Sequence, residues 1–182
     1  FPLYLINEVE SKQEIAAKVA PNVFVVHTGH ILKPNFTKEQ NEEILKSLSE
    51  KNIDLVNLTV EDFTIAANQE IALNKYPQKF LSSSIIDINE DSFIAKTNIT
   101  PYIIHEGVAF IGLSDKNLTL PMVMDKFLVS DYVLAVLRAK KLAFLANPKM
   151  IVKSYVIVHT IGSDIGEVME RLPPNFINSL AN

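Results

Sequence analysis

The chain has 182 residues, 48% of them apolar, with 17 basic and 21 acidic side chains and a net charge of −4. That is enough chain for one domain with a sizeable core, and the mild charge argues against a nucleic-acid surface, which needs a concentrated basic patch. The lack of cysteine excludes disulfides, thiolate nucleophiles and cysteine-type zinc sites, and no apolar run reaches the roughly 18 residues that span a bilayer.

In chain order, "LYLI" (Leu3 to Ile6) reads as a short strand and the stretch from about Glu10 to Val19 as a helix, stopped by Pro21 and Asn22. The start, "FPLYLINEVESK", has neither an initiator Met nor a signal-peptide layout, which leads us to expect a processed or excised chain. "VFVV" is a continuous apolar, mostly β-branched run, the pattern of a strand buried on both faces. It leads into a small turn with His27 and His30. In "TKEQNEEILKSLSEKN", Thr37 and Gln40 have capping-box spacing, and Ile44, Leu45 and Leu48 form one apolar stripe. "IDLVNLTV" (Ile53 to Val60) is the next expected strand and "EDFTIAANQEIALNK" the next helix, ended by Tyr76-Pro77.

"FLSSSIIDI" (Phe80 to Ile88) reads as a third strand. "TPYIIHEGVAFIGLSD" reads as a hairpin turning at Glu106-Gly107. A loop with Pro121 and Asp125 precedes a long helix from about Ser130 to Ala146, closed by Asn147-Pro148. Its "RAKK" (Arg138 to Lys141) reads as a solvated face. "KSYVIVHT" is a last central-type strand, and "DIGEVMERL" a short helix before Pro173-Pro174. Strands separated by helices predict a layered α/β domain with largely parallel strands, one β-hairpin and helices packed on the sheet. There is no internal repeat, low-complexity tract or linker, so one domain is expected over 1–182.

Functional groups in such sheets gather at the carboxyl ends of the strands. That rule selects His27 and His30, Glu61 and Asp62, Ser82 to Ser84, Asp115, and His159 with Thr160. Histidines and carboxylates converging on one edge could bind a divalent metal. Each also has a plainer reading. His27 and His159 end apolar strands, where a lone histidine is more often a core residue bonded to backbone. Asp62 fits a helix N-cap better than a catalytic acid. Ser82 to Ser84 fit small residues under a helix, and His105, beside the hairpin turn, fits an exposed side chain. No glycine-rich phosphate loop and no Ser/His/Asp arrangement is present. Asn-x-Ser/Thr sequons begin at Asn35, Asn57, Asn98 and Asn117, where about two are expected by chance in so Asn-, Ser- and Thr-rich a chain, so they carry no glycosylation argument.

The order of segments resembles the catalytic domain of the 5'-nucleotidase branch of the calcineurin-like metallophosphoesterases. "NVFVVHTGHIL" resembles that family's strand ending in Asp-Ala-Gly-Asp. "NEEILKSLSEKNIDLVNLTVEDF" resembles the helix and strand leading to Gly-Asn-His-Glu-Phe, and "FLSSSIID" its Ser-Ala-Asn strand. "ITPYIIHEGVAFIGLSD" is similar to its Pro-Tyr hairpin, and "YVIVHTIGSD" to the strand with Ser-His-x-Gly. The resemblance implies a metallophosphoesterase-like fold over most of the chain and export to the periplasm or cell exterior. It also implies chemistry with two divalent metals, a bridging carboxylate and an activated water.

The ligands that chemistry needs do not carry over. The bridging aspartate falls on His27, the metal-binding asparagine on Val60 and the adjacent histidine on Glu61, whose charge opposes a phosphate. The later histidine falls on Thr160, leaving His159 one residue out of register and on the other strand face. The Gly-Gly-His region falls near "SLAN", with Asn182 at the histidine, and "LYLINEVE" holds no Asp-x-His. The expectation is a catalytically degenerate domain without the first and last ligand segments. It would be kept as a structural or binding subunit whose partner is another protein, with no cofactor. The hairpin edge and the tail "PPNFINSLAN" are its candidate surfaces. The alternative is a metal-dependent phosphoesterase with a rearranged or incomplete site, holding manganese or zinc through His27, His30, Glu61, Asp62 and His159. A third reading is a fragment whose missing ligands lie in flanking segments.

Overall fold

A computed structural model describes residues 2–7, 22–116, 126–161 and 165–178. The expected helix at Glu10 to Val19, the loop with Pro121 and Asp125, and Asn182 lie outside these residues. Two sheets stack face to face, with helices on their outer sides. The first has the order β1 (Leu3–Ile6), β2 (Phe24–His27), β3 (Leu55–Asn57), β4 (Phe80–Leu81) and β7 (Ile99–Thr100), all parallel. The second has the order β12 (Phe176–Asn178), β11 (Ser154–His159), β9 (Val108–Leu113) and β8 (Tyr102–His105), parallel except for the β8–β9 hairpin. A small antiparallel sheet joins β10 (Phe127–Val129), β5 (Ile85–Asp87) and β6 (Ser92–Phe93).

The buried positions follow the two-residue alternation of a strand. Val26, Leu55 and Leu81 meet Phe110, Val156 and Val158 between the sheets. Val25, Val56 and Phe80 face the other way and pack with α1 (Lys38–Glu50) and α2 (Val60–Asn68). In the second sheet Ala109, Ile111, Tyr155 and Ile157 pack with α3 (Tyr132–Ala146) and α4 (Ile165–Glu170). Burial of a large apolar side chain contributes about 1.5–3 kcal/mol, so these three clusters supply most of the favourable term.

Local signals set several boundaries. Thr37 and Gln40 form the capping box that starts α1. The helix ends where Asn52 adopts φ +56 and the Ile53 N–H reaches the Leu48 carbonyl. The hairpin turns at Glu106 and Gly107, both with positive φ, the form that matches strand twist.

Four expectations differ from the structure. The strand from Ile53 to Val60 shrinks to Leu55–Asn57, because Thr59 caps α2 in a second capping box with Asp62. The helix expected over 61–75 stops at Asn68. Glu70 turns left-handed there, at φ +54, and Ile71 N–H bonds back to the Ala66 carbonyl; only a short 3-10 turn, Leu73–Lys75, follows. The strand expected at Phe80 to Ile88 divides into β4 and β5, which lie in different sheets. Finally, the tail "PPNFINSLAN", read without an element of its own, contributes a strand: Phe176–Asn178 extends the second sheet beside β11, and the Phe176 ring stacks on Tyr155 at 4.8 Å while Ile177 stays exposed.

Candidate functional site

The parallel registers bring the carboxyl ends of both sheets to one edge. His27 sits beside Ile6 and Val56, Asn57 beside Leu81, and His159 beside Leu113. Asn57 joins the sheets there: its side-chain amide donates to the Thr28 carbonyl at 2.9 Å and to the Leu113 carbonyl at 2.8 Å. Its Oδ1 is buried with no hydrogen-bond partner among the described residues. Close approach is why residues 29 and 112 are glycine. A Cβ on Gly112 would run into Asn57 Oδ1 and Leu81, and one on Gly29 into the Thr59 methyl group.

Three serines also join the sheets. Ser83 Oγ donates to the Pro101 carbonyl and accepts from Gly112 N–H, and Ser84 Oγ accepts from Ser114 N–H at 3.0 Å. Ser114 Oγ in turn accepts from Val60 N–H at 2.8 Å. The expectation that Ser82 to Ser84 are fillers under a helix is therefore corrected. Two of these three serines cross-link the sheets, and this also explains why the strand breaks there.

At the centre of the edge lies His30, with φ +57. Its Nδ1 is 2.9 Å from Glu61 Oε2 and its Nε2 is 3.6 Å from Asp115 Oδ2. Asp115 raises the imidazole above its ordinary pKa, and the charges of Asp62 and Glu61 add to this, while burial opposes it. A protonated ring donates at both nitrogens, so it can serve both flanking carboxylates. Of the two, Glu61 makes the true hydrogen bond; 3.6 Å to Asp115 is a longer electrostatic contact.

Asp62 is fully buried. Its Oδ2 accepts from Thr59 N–H, Thr59 Oγ1 and His30 N–H, and its Oδ1 accepts from Leu32 N–H. Burial pushes its carboxyl above the ordinary range, and these donors together with His30 pull it back. Asp62 is thus not the N-cap expected from sequence. Thr59 is the cap, and Asp62 is the third helical residue, holding both that cap and the His30 loop in place.

His27 and His159 do not join this group. Each follows the alternation onto the outer, helix-facing side of its strand, with Val25 and Val56 in one case and with Tyr155 and Ile157 in the other. Each Nδ1 accepts a backbone N–H two residues on, from Gly29 and from Ile161, both at 3.2 Å. Burial, aided by Lys33 and His30, lowers the His27 pKa to about 3. The ring is therefore neutral, with its proton on Nε2, which has no acceptor among the described residues. Thr160, the next residue after His159, does reach the shared edge, where its hydroxyl accepts from Asp115 N–H. His105 is half-buried rather than exposed, stacked on Phe24 with centroids 4.2 Å apart.

Sequence reasoning passed over Asn57 as a functional position, although a polar amide ending the apolar run "IDLVN" was a usable signal. Among the described residues no group of three or more His, Cys, Asp or Glu side chains is arranged to hold a metal ion. The donor chemistry agrees: four contacts occupy Asp62, a backbone N–H occupies Nδ1 of His27 and of His159, and both ring nitrogens of His30 face carboxylates. These residues do not fit the metal pair that the fold family implies.

Two stacked, largely parallel sheets between helical layers, with loops converging where both sheets end, are the layout of a metallophosphoesterase-like domain, a likeness of fold that solved structures bear out. The chain is similar in fold to the sulfate thiohydrolase SoxB of Thermus thermophilus, with 13% identity, a TM-score of 0.67, and 92% of this chain and 32% of that one covered. It is also similar to a 5'-nucleotidase precursor from the same organism, with 15% identity, a TM-score of 0.64, and coverage of 93% and 34%. The NAD nucleotidase NadN of Haemophilus influenzae gives 15% identity, a TM-score of 0.60, and coverage of 91% and 30%. The chain thus spans about a third of the length of each. No protein-family model and no curated protein matches the sequence.

Proposed function

We propose that the chain is a catalytically degenerate metallophosphoesterase-like domain, kept as a structural or binding subunit. The observation that carries this reading is the His30 group. At the edge where the family's chemistry takes place, an imidazole lies between Glu61 and Asp115, and its loop is tied down by Asp62. An imidazole that its neighbouring carboxylates favour in the protonated form stands where a metal would otherwise balance them. Glu61 and Asp115 also set carboxylates on both sides of the ring, the wrong sign to meet a phosphate and stabilise its transition state. The serine and asparagine cross-links serve the same end, because they lock the two sheets without any metal.

On this reading residues 1–182 form one domain, the partner is another protein, and export follows from the fold resemblance alone. Among the described residues no helix is long and apolar enough to cross a membrane. The test is hydrolysis of an activated aryl phosphoester by the purified chain with manganese or zinc added. The proposal expects the rate of the metal solution alone. Turnover above that rate, lost on Glu61→Gln, would replace it with a rearranged metal-dependent phosphoesterase.

A further inference from the structure

Helix α3 is apolar on both sides. Ala135, Val136, Ala139 and Ala143 are buried against the second sheet. On the outside, Leu134, Leu137, Phe144 and Leu145 are exposed, Phe144 by 62%. At 3.6 residues per turn these four and Lys141 fall within about 100° of the helix circumference, forming a single ridge. After the helix, Met150 and Ile151 are exposed as well, the latter by 81%. Scattered apolar residues on a surface need no explanation, but four on one face of a helix do.

Charge supplies the second observation. From Tyr132 to Ile161 the sequence has five basic side chains and no carboxylate, in a chain whose net charge is −4. Arg138 and Lys140 lie over the rings of Phe93 and Tyr155, at 3.9 and 5.4 Å. Lys141, within the ridge, and Lys149 and Lys153, after the helix, are all exposed. The pattern is an apolar ridge with three exposed lysines in and beyond it, against the single carboxylate of Glu106 at the hairpin turn that packs on Lys153.

The geometry points to this face as a docking site for the surface of an anionic lipid bilayer. The ridge enters the acyl boundary, Lys141 extends its ammonium from within it to the headgroups, and Lys149 and Lys153 meet the headgroups beside it. Charge complementarity selects this occupant. A second copy docked through the same face would set lysines against lysines, and a protein interface is usually depleted in lysine. The ridge lies on the outer side of the second sheet, away from the His30 edge, so the inference is independent of the reading of that site.

The experiment is flotation of the full chain with vesicles of phosphatidylcholine alone and of an equimolar mixture with phosphatidylglycerol, at low and high salt. Two variants accompany it, Lys141→Gln/Lys149→Gln/Lys153→Gln and Phe144→Ser/Leu145→Ser, with circular dichroism to confirm that both fold. The wild type should float with the mixed vesicles and not with phosphatidylcholine. Each lysine near an anionic surface is worth about a fivefold gain, so the triple variant should lose about 100-fold. The serine variant should lose binding at both salt concentrations. No flotation of the wild type, or equal flotation of the variants, would overturn the proposal. So would concentration-dependent sedimentation without lipid that disappears in the serine variant, which would assign the ridge to a second copy.

Discussion

Replacing His27 with asparagine should remove a specific acid weakness of the fold. The imidazole takes up its proton near 6.5 in the unfolded chain, but at about 3 in the folded one, because burial penalises the charged ring. Acid therefore favours the unfolded state, and stability falls as pH drops from 6.5 toward 3. At about 1.4 kcal/mol per pKa unit, the loss between pH 7 and pH 5 is about 2 kcal/mol, approaching about 5 kcal/mol below pH 3. Asparagine offers Oδ1 to the Gly29 N–H that now bonds to His27 Nδ1 and does not titrate. Urea unfolding of both proteins at pH 7 and pH 5 isolates this residue, since the other groups titrate in both. The variant should lose about 2 kcal/mol less than the wild type between the two pH values. Parallel pH dependence in the two proteins would refute the buried, neutral imidazole.

Three other substitutions test the packing of the edge. Asp62→Asn places an amide N–H against donors that now have an acceptor, and should cost about 2–4 kcal/mol, read as a fall of about 5–15 °C in Tm. His30→Gln should flatten the alkaline side of the stability profile. The raised pKa of His30 means that its contribution is complete below pH 6.5 and fades as pH rises through the folded value, so wild type and variant should converge at high pH in thermal melts. Gly112→Ala drives a methyl group into Asn57 and Leu81 and should cost about 1–3 kcal/mol by urea unfolding, whereas Gly166→Ala, where the added Cβ meets nothing within 4 Å, should not destabilise the protein.

Many local determinants were legible in the sequence, although the Thr59–Asp62 capping box and the left-handed turn at Glu70 were not. The β2 run and the Thr37-Gln40 box carry their own signals within a few residues, as does the Glu106-Gly107 turn. The layered, largely parallel architecture follows from the alternation of such segments. Long-range determinants were not legible. The break inside "FLSSSIIDI" depends on Gly112 and Ser114, about 30 residues on. The three residues of β12 are too few to show a period, and their pairing depends on β11. At the site, the rule about strand ends named His30, Glu61, Asp62 and Asp115, which the structure brings together at one edge. It could not tell that His27 and His159 turn to the outer faces, because a strand's orientation depends on which side its neighbours pack. Nor could it show that His30 meets Asp115, 85 positions later.

Metal content tests the central claim most directly. The purified chain would be incubated with manganese and zinc, desalted and analysed by elemental mass spectrometry, beside Glu61→Gln. Neither metal should be retained at a stoichiometric level in either protein, because His30 and its carboxylates satisfy one another. Retention of one or two equivalents by the wild type, reduced in Glu61→Gln, would contradict this and make the edge a working metal centre.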